Sequence, residues 1–131
     1  MFVKEEGSAS VQAAMGAARS VVTSALTYVE MRAALARMAG QRRLGREAHE
    51  ATLRRFTLYW GSVAMVPVDD ALIARAAELA EEHFLRACDA VQLASALVTT
   101  AREPVVIGAW DRDLNAAARR EGLALIDPGP A

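Results

Sequence analysis

The sequence is poor in the residues that mark several common protein classes. It contains one cysteine, Cys88, so no internal disulfide can form, which fits a reducing cytoplasm. Cys88 lies in an apolar run, and we interpret it as a small core residue rather than a reactive thiol. No apolar stretch approaches the roughly 18 residues that a membrane span needs. The N-terminus also lacks the continuous apolar segment of a secretory signal.

Several sequence signatures of catalysis and cofactor binding are missing as well. There is no GxGxxG, GxxxxGK[ST], GxSxG, CxxC or HExxH motif. The usual signatures of dinucleotide binding, P-loop phosphate transfer, serine hydrolysis and structural zinc are therefore absent. His49 and His83 lie on separate predicted helices, and we interpret each as a surface or helix-end residue rather than a ligand.

The composition that remains is that of one globular domain over residues 1–131. Apolar residues make up 53% and charged residues 24% of the chain, a balance typical of folded proteins. Lys4 is the only lysine, and the net charge is −1. The charge is unevenly distributed along the sequence. Residues 32–55 contain seven arginines and two glutamates, and residues 69–89 contain six acidic residues and two arginines.

The arginine-rich segment has two interpretations. A solvated helical face is the ordinary explanation of such a charge run. The same side chains could instead hold the phosphate backbone of RNA. The arginines concerned are Arg42, Arg43, Arg46, Arg54 and Arg55.

Hydrophobic periodicity and turn residues predict an α/β fold. Short β-branched runs at 20–23, 63–68, 103–110 and 123–127 indicate strands, and they alternate with helical patterns. Continuous apolar strands alternating with helices predict a parallel sheet covered on both faces. In such folds the functional crevice opens at the carboxyl ends of the strands. We predict helices over 8–18, 26–40, 45–62, 71–83, 85–101 and 111–122.

Four carboxylates stand near the predicted strand ends. Glu30 follows the first strand, Asp89 lies in an otherwise small or apolar helix, and Asp111 and Asp113 follow the third strand. Carboxylate oxygens suit Mg²⁺ or Mn²⁺. A metal held there could activate water and stabilise the in-line displacement of a phosphodiester.

Each of these acids also has a structural interpretation, which the spacing leaves open. Glu30 could complete a capping box with Thr27 at the start of its helix. Asp89 could pair with Arg86 three residues earlier. Asp111 could cap the helix that follows it, with Asp113 as a first-turn acid.

Three segments together resemble a known family: "TYVEMRAALAR", "LRACDAVQLASALVTTA" and "VVIGAWDRDLNAAARREGLALIDP". In this order and at these separations they are similar to the PIN-domain ribonucleases, specifically the VapC-type toxins of bacterial toxin–antitoxin systems. The resemblance runs over essentially the whole chain. It implies a three-layer α/β/α sandwich with a short central parallel sheet. It also implies a Mg²⁺- or Mn²⁺-dependent endoribonuclease that forms a homodimer and is neutralised by a cognate antitoxin protein.

The resemblance assigns the metal-binding and catalytic acids to Glu30, Asp89 and Asp111. Asp113 is a further candidate metal ligand, at a position where family members are less consistent. The sequence departs from the family at its start, because the first strand and the first metal-binding aspartate have no counterpart. The segment "FVKEEGS" resembles the later part of the helix that follows that strand, and no aspartate precedes Asp69.

This departure has two expected consequences. The segments 20–23 and 104–109, which would flank the missing strand, are expected to leave a gap in the sheet. A site with one carboxylate fewer is expected to bind metal weakly and to cleave RNA poorly. The alternatives are a catalytically inactive PIN remnant that binds an antitoxin or a paralogue, and a non-nuclease α/β domain whose acids only cap helices.

Overall fold

The computed structural model describes residues 8–126. The predictions for "FVKEEG" and for the end of the strand at 123–127 therefore concern residues outside this range. The described part of the chain alternates helices and short strands in the expected order. The elements are α1 (Ser8–Ala17), β1 (Val22–Ser24), α2 (Leu26–Gly40), α3 (Arg46–Trp60), β2 (Ala64–Val66), α4 (Asp70–His83), α5 (Ala87–Thr100), β3 (Val106–Ile107), α6 (Arg112–Arg120) and β4 (Ala124–Leu125).

Local sequence signals explain the limits of α4. The Asp69 carboxylate accepts a hydrogen bond from the Leu72 amide at 2.9 Å, which satisfies one of the free N–H groups at a helix start. The helix ends where Phe84 takes the left-handed conformation, with φ 56°. Its amide then donates to the Ala80 carbonyl, a closure typical of helix C-termini. The predicted break between the fourth and fifth helices is thus confirmed.

The predicted bounds of α2, residues 26–40, are confirmed, but the predicted N-cap, Thr27, is wrong. The helix begins at Leu26, and its N-cap is Ala25, which makes no side-chain capping bond. Instead, the Ser24 hydroxyl accepts a hydrogen bond from the Leu26 amide at 3.0 Å. Thr27 lies inside the helix, so the proposed capping box between Thr27 and Glu30 does not form.

The strands form two separate parallel sheets. β1 pairs with β2 from Val22 opposite Ala64, and β3 pairs with β4 from Val106 opposite Ala124. Among residues 8–126, no hydrogen-bonded strand joins β1 to β3. The strands are parallel as predicted, and the break lies between the two segments that were expected to flank a gap.

The buried apolar core lies mostly in the second half of the chain. Helix α5 lies at its centre and contacts α4, α6 and β1, while α6 contacts β4. Leu79, Leu93, Ala94 and Ala118 are fully shielded from solvent. In the first half, α2 contacts α3, and Tyr28, Phe56 and Trp60 form an aromatic cluster with ring centroids 5.3–5.6 Å apart.

Among residues 8–126, no helix is both long enough and apolar enough to cross a membrane.

Candidate active site

The first turn of α5 carries the residues around which the candidate site is built. Arg86 is the N-cap residue, in extended conformation, and α5 then runs from Ala87 to Thr100. Asp89 lies in the first turn, where the helix dipole favours a negative charge. Cys88 and Gln92 are four residues apart on the helix and therefore share one face. The first two turns of α5 thus present a thiol, a carboxylate and an amide.

Arg86 brings together Asp89 and Asp111, which lie on different helices. Its Nε donates to Asp89 Oδ2 at 2.7 Å, and its Nη2 donates to Asp111 Oδ2 at 2.8 Å. These contacts raise the pKa of the Arg86 guanidinium, first through the hydrogen bond to Asp89 and then through the charges of Asp89 and Asp111. The guanidinium thus occupies a position between two carboxylates where a cation is electrostatically favoured.

Asp111 uses its two carboxylate oxygens for different contacts. Oδ1 accepts hydrogen bonds from the Asp113 and Leu114 amides at 2.9 and 3.0 Å, so Asp111 is the N-cap of α6. Oδ2 is the oxygen that meets Arg86. The pKa of Asp111 is lowered, first by the Leu114 amide and then by the Asp113 amide and the Arg86 charge. The capping interpretation of Asp111 is therefore confirmed, and it leaves one oxygen for the contact with Arg86.

Glu30 is held by α5 instead of capping its own helix. Gln92 Nε2 donates to Glu30 Oε2 at 3.2 Å. A hydrogen bond between the Cys88 thiol and Glu30 is the main cause of the raised pKa of Cys88. The charge of the adjacent Asp89 raises the pKa of Cys88 as well, so Cys88 lies near both carboxylates. The interpretation of Cys88 as a core residue is wrong, since the residue is exposed.

Gln92 is a positioning residue that the sequence reasoning missed. Besides Glu30, its Nε2 donates to Thr27 Oγ1 at 2.7 Å. Its Oε1 lies 3.4 Å from the Ser24 amide and from Thr23 Oγ1. Gln92 therefore links the end of β1 to α2 and α5. Its place on the same helix face as Cys88 was a signal available from the spacing.

Asp113 lies at the edge of this arrangement. Its amide donates to the capping oxygen of Asp111, and the residue is exposed. Its charge is the weakest of the three carboxylate contributions that raise the pKa of Arg86. Asp113 is thus near the guanidinium but less closely placed than Asp89 or Asp111.

The donor set suits a hard divalent cation, although the carboxylates are not drawn together into a compact cage. Glu30, Asp89 and Asp111 supply carboxylate oxygens, the ligands that Mg²⁺ and Mn²⁺ prefer. Among residues 8–126, the group whose ligand atoms all lie within 4.8 Å of one another is a different one, Glu82, His83 and Glu121. In that group, Glu121 already pairs with His83 and Arg75 at 2.8 and 3.4 Å.

The first arginines of the arginine-rich segment lie away from Glu30 along the chain. Arg42 and Arg43 follow the end of α2, twelve residues and more beyond Glu30, which at 1.5 Å per residue is about 18 Å along the helix. Arg46 forms an exposed ion pair with Glu50 at 3.1 Å. Contact between this segment and RNA stays a prediction.

Comparison with known proteins agrees with the fold. The sequence profile of the PIN domain matches residues 1–120. Two curated relatives are Ribonuclease VapC45 of Mycobacterium tuberculosis (strain CDC 1551 / Oshkosh) and Ribonuclease VapC49 of Mycobacterium tuberculosis (strain ATCC 25618 / H37Rv). Each is 32% identical over 133 residues, which cover 98% of this chain and 91% of the relative. The chain therefore belongs to the PIN-domain family and, within it, to the VapC type.

Proposed function

We propose that this protein is a divalent-metal-dependent endoribonuclease whose metal ligands are Glu30, Asp89 and Asp111. The observation that carries the proposal is the convergence of Asp89 and Asp111 on the Arg86 guanidinium, which marks a position favourable to positive charge. The ribonuclease names of the two relatives agree with the proposed reaction. Mg²⁺ or Mn²⁺ bound here would supply an activated water and charge stabilisation for the leaving oxygen.

Different residues have different roles in the proposed site. The Asp111 carboxylate is fixed by two amide hydrogen bonds, so its second oxygen keeps its direction. Gln92 fixes Glu30 in the same way. The Arg86 side chain is 75% exposed, so it can turn from the carboxylates toward an RNA phosphate. Arginine suits that contact because its planar guanidinium binds phosphate oxygens in pairs.

We extend the proposal to the partners and surroundings of the protein. The exposed aromatic side chains Phe84 and Trp110 flank Arg86 and Asp111 in the sequence, and they would suit contact with an RNA base or an antitoxin. By family membership we propose a cognate antitoxin protein, a homodimer and a cytoplasmic location. With three carboxylates, we expect weak metal affinity and slow cleavage. Asp113 is the candidate for an additional, outer ligand.

The test is RNA cleavage by the purified 131-residue chain in millimolar Mg²⁺ or Mn²⁺. We expect slow cleavage of single-stranded RNA that EDTA abolishes. Glu30→Gln, Asp89→Asn and Asp111→Asn should each lower the rate by about 100-fold, as expected when one catalytic electrostatic contact is lost. Asp70→Asn is the matched control, because Asp70 is an exposed first-turn acid on α4.

Circular dichroism should show that each variant is folded before its rate is compared. The proposal fails if the folded chain cleaves no RNA with either metal, which would favour the inactive PIN remnant. It also fails if the three variants cleave as fast as Asp70→Asn, because the acids would then serve only structure.

A further inference from the structure

The Arg86 guanidinium binds the oxygens through which two of the proposed metal ligands would reach a cation. Its Nε lies 2.7 Å from Asp89 Oδ2, and its Nη2 lies 2.8 Å from Asp111 Oδ2. The other oxygen of Asp111 already accepts the Asp113 and Leu114 amides at 2.9 and 3.0 Å. A cation that binds Asp111 without breaking the cap of α6 therefore uses Oδ2, the oxygen that contacts Arg86.

A divalent cation and the guanidinium compete for these oxygens. Mg²⁺ binds oxygen ligands at about 2.0–2.1 Å, which is closer than either contact of Arg86. Two cations held a few ångströms apart on the same carboxylates repel one another, and the repulsion is screened less than in bulk water because the carboxylates are partly buried. Binding of one cation therefore favours departure of the other.

The exposure of the three side chains indicates which group can move. The Arg86 side chain is 75% exposed, whereas those of Asp89 and Asp111 are 17% and 35% exposed. The guanidinium therefore lies on the solvent side of the two carboxylates. Because exposed ion pairs contribute little to stability, Arg86 can leave the carboxylates while the helices that carry them stay in place.

A second arginine shows the opposite arrangement. Arg75 also contacts a carboxylate three residues later, Glu78 at 3.0 Å, and one at the end of α6, Glu121 at 3.4 Å. Here the Glu78 side chain is 67% exposed and that of Arg75 is 40% exposed, so the carboxylate is the more exposed partner. Glu121 is the C-cap of α6 and Asp111 is its N-cap, about 15 Å apart along the helix. Arg75 is therefore a matched arginine outside the proposed metal site.

We propose that Arg86 and a divalent cation compete for Asp89 and Asp111, and that binding of the cation frees the guanidinium to hold an RNA phosphate beside them. The competition rests on the proposed function, because it takes the same carboxylates as metal ligands. Before the cation binds, Arg86 offsets the repulsion between the two carboxylates. Afterwards it is a substrate-binding residue. Cation and RNA therefore bind cooperatively, since both favour the released position of one side chain.

The first measurement is the affinity of the full chain for Mn²⁺, followed by the electron paramagnetic resonance signal of the free ion. Arg86→Gln removes the competitor and should bind Mn²⁺ about tenfold more tightly, as expected if the guanidinium occupies the carboxylates about nine-tenths of the time. Arg112→Gln is the charge control, because it removes the same charge at an exposed residue next to Asp111 and leaves the Arg86 contacts in place. It should tighten binding by less than about threefold.

The direction of this change separates competition from a structural role. If Arg86 only held the two carboxylates in position, its loss would weaken Mn²⁺ binding. A gain in affinity beyond that of the charge control is expected only when the side chain competes with the ion.

Nuclear magnetic resonance follows the same event in the parent chain, without a substitution. Mg²⁺ should shift the Nε–H signal of Arg86 and accelerate its exchange with water, because the hydrogen bond to Asp89 is lost. The signal of Arg75 in the same spectrum should stay unchanged, since its carboxylates lie outside the proposed metal site.

The coupling to RNA is measured by fluorescence anisotropy with a labelled single-stranded oligoribonucleotide, which a gel must show to be intact after the measurement. Saturating Mn²⁺ should tighten RNA binding by the parent chain about tenfold more than RNA binding by Arg86→Gln, because the variant has no guanidinium to release. Arg75→Gln is the control, and its gain from Mn²⁺ should equal that of the parent chain.

Three results would each overturn the competition. One is Mn²⁺ binding by Arg86→Gln that is no tighter than by Arg112→Gln, and another is an Arg86 signal that saturating Mg²⁺ leaves unchanged. The third is an equal gain in RNA affinity for the parent chain and Arg86→Gln. Should Arg86→Gln fail to fold, the resonance measurement on the parent chain still decides the question.

Failure of the proposed function gives a different result. In that case Mn²⁺ does not bind the parent chain, or it binds Asp89→Asn and Asp111→Asn as tightly as the parent. Either outcome removes the metal from these carboxylates, and the competition is then wrong as well. Loss of Mn²⁺ binding in both variants, together with one of the three results above, leaves the metal site in place and rejects only the role of Arg86.

Discussion

The amino half of the described chain, residues 8–66, and the carboxyl half, residues 70–126, each contain three helices and a two-stranded parallel sheet. Their apolar side chains nevertheless have different surroundings. Twelve buried residues between Leu72 and Leu123 form one continuous cluster in the carboxyl half. In the amino half, the buried apolar side chains are Leu35 and Phe56, and Leu58 and Met65 are exposed.

A cavity of about 870 Å³, lined by residues of β1 and β3, explains this contrast. Helices α1 and α3 and strand β1 turn several apolar side chains toward it, whereas α4, α5 and α6 close around one another. Interiors gain stability from close packing, and a wall of a cavity loses part of that gain. The comparison teaches that the carboxyl half carries most of the core, while part of the amino half lines the cavity.

The largest expected effect is on the free energy of unfolding, in a matched pair of variants that truncate a buried leucine. Leu79→Ala, in α4, should lower the free energy of unfolding by about 3 kcal/mol, because its tightly packed surroundings cannot close over the void. Leu35→Ala, in α2, removes an equally buried side chain and should cost about half as much, since its neighbours can relax toward the cavity. Urea unfolding measures both. Equal losses would show that the two halves are packed alike.

A smaller effect concerns the polar contact that ties α4 to α6. Glu121 lies 2.8 Å from His83 Nε2, and the His83 side chain is only 4% exposed. Glu121→Gln should destabilise the protein by about 1–2 kcal/mol, because it weakens a contact to a buried polar group. Glu78→Gln is the control: its carboxylate also pairs with Arg75 but is 67% exposed, so it should cost under about 0.5 kcal/mol. Similar losses in the free energy of unfolding for both variants would show that the contact between Glu121 and His83 does not contribute to the core of the carboxyl half.

The smallest effect concerns the cap of α6, at the edge of the core. Asp111→Ala should cost about 1 kcal/mol at pH 7, as for other helix caps, whereas Asp111→Asn keeps an acceptor oxygen and should cost less. Because the pKa of Asp111 is lowered in the folded protein, its charge stabilises the fold above the unfolded value of about 3.9. This contribution is lost as the pH falls through the lower, folded value.

The cost of Asp111→Ala should accordingly shrink as the pH falls below about 3.9. Urea midpoints at pH 7 and about pH 3 measure the change. A cost that is the same at both pH values would mean that the carboxylate charge adds nothing to the cap.

Local signals predicted the helices better than the strands. Asp69 and Phe84 set the limits of α4 through contacts within a few residues, so the pattern of the chain was sufficient there. The strand predicted at 103–110 is reduced to Val106–Ile107. Pairing on one edge alone supports only a short ladder, and the identity of a strand's neighbours is not encoded locally.

The candidate site shows the same division. That Asp111 caps α6 followed from its position before a helical pattern. The proposed capping role of Glu30 was wrong, because α2 begins at Leu26 and the carboxylate is bound by Gln92, 62 residues away in the sequence. Cys88 is exposed for a related reason: it lies on the side of α5 that meets Glu30 rather than on the side that enters the core.

By itself, the sequence determined the order of the helices and strands, the parallel α/β class, the similarity to PIN-domain ribonucleases and the choice of Glu30, Asp89 and Asp111 as candidate acids. The order of the elements and the fold class depend on periodicity and turn residues, which are local, whereas the assignment of the acids is what the family resemblance implies. Only the tertiary structure decided that Arg86 lies between Asp89 and Asp111, that Gln92 holds Glu30, and that the sheet is divided around a cavity. Those features depend on which distant segments pack together, and that is set by the whole core rather than by any one segment.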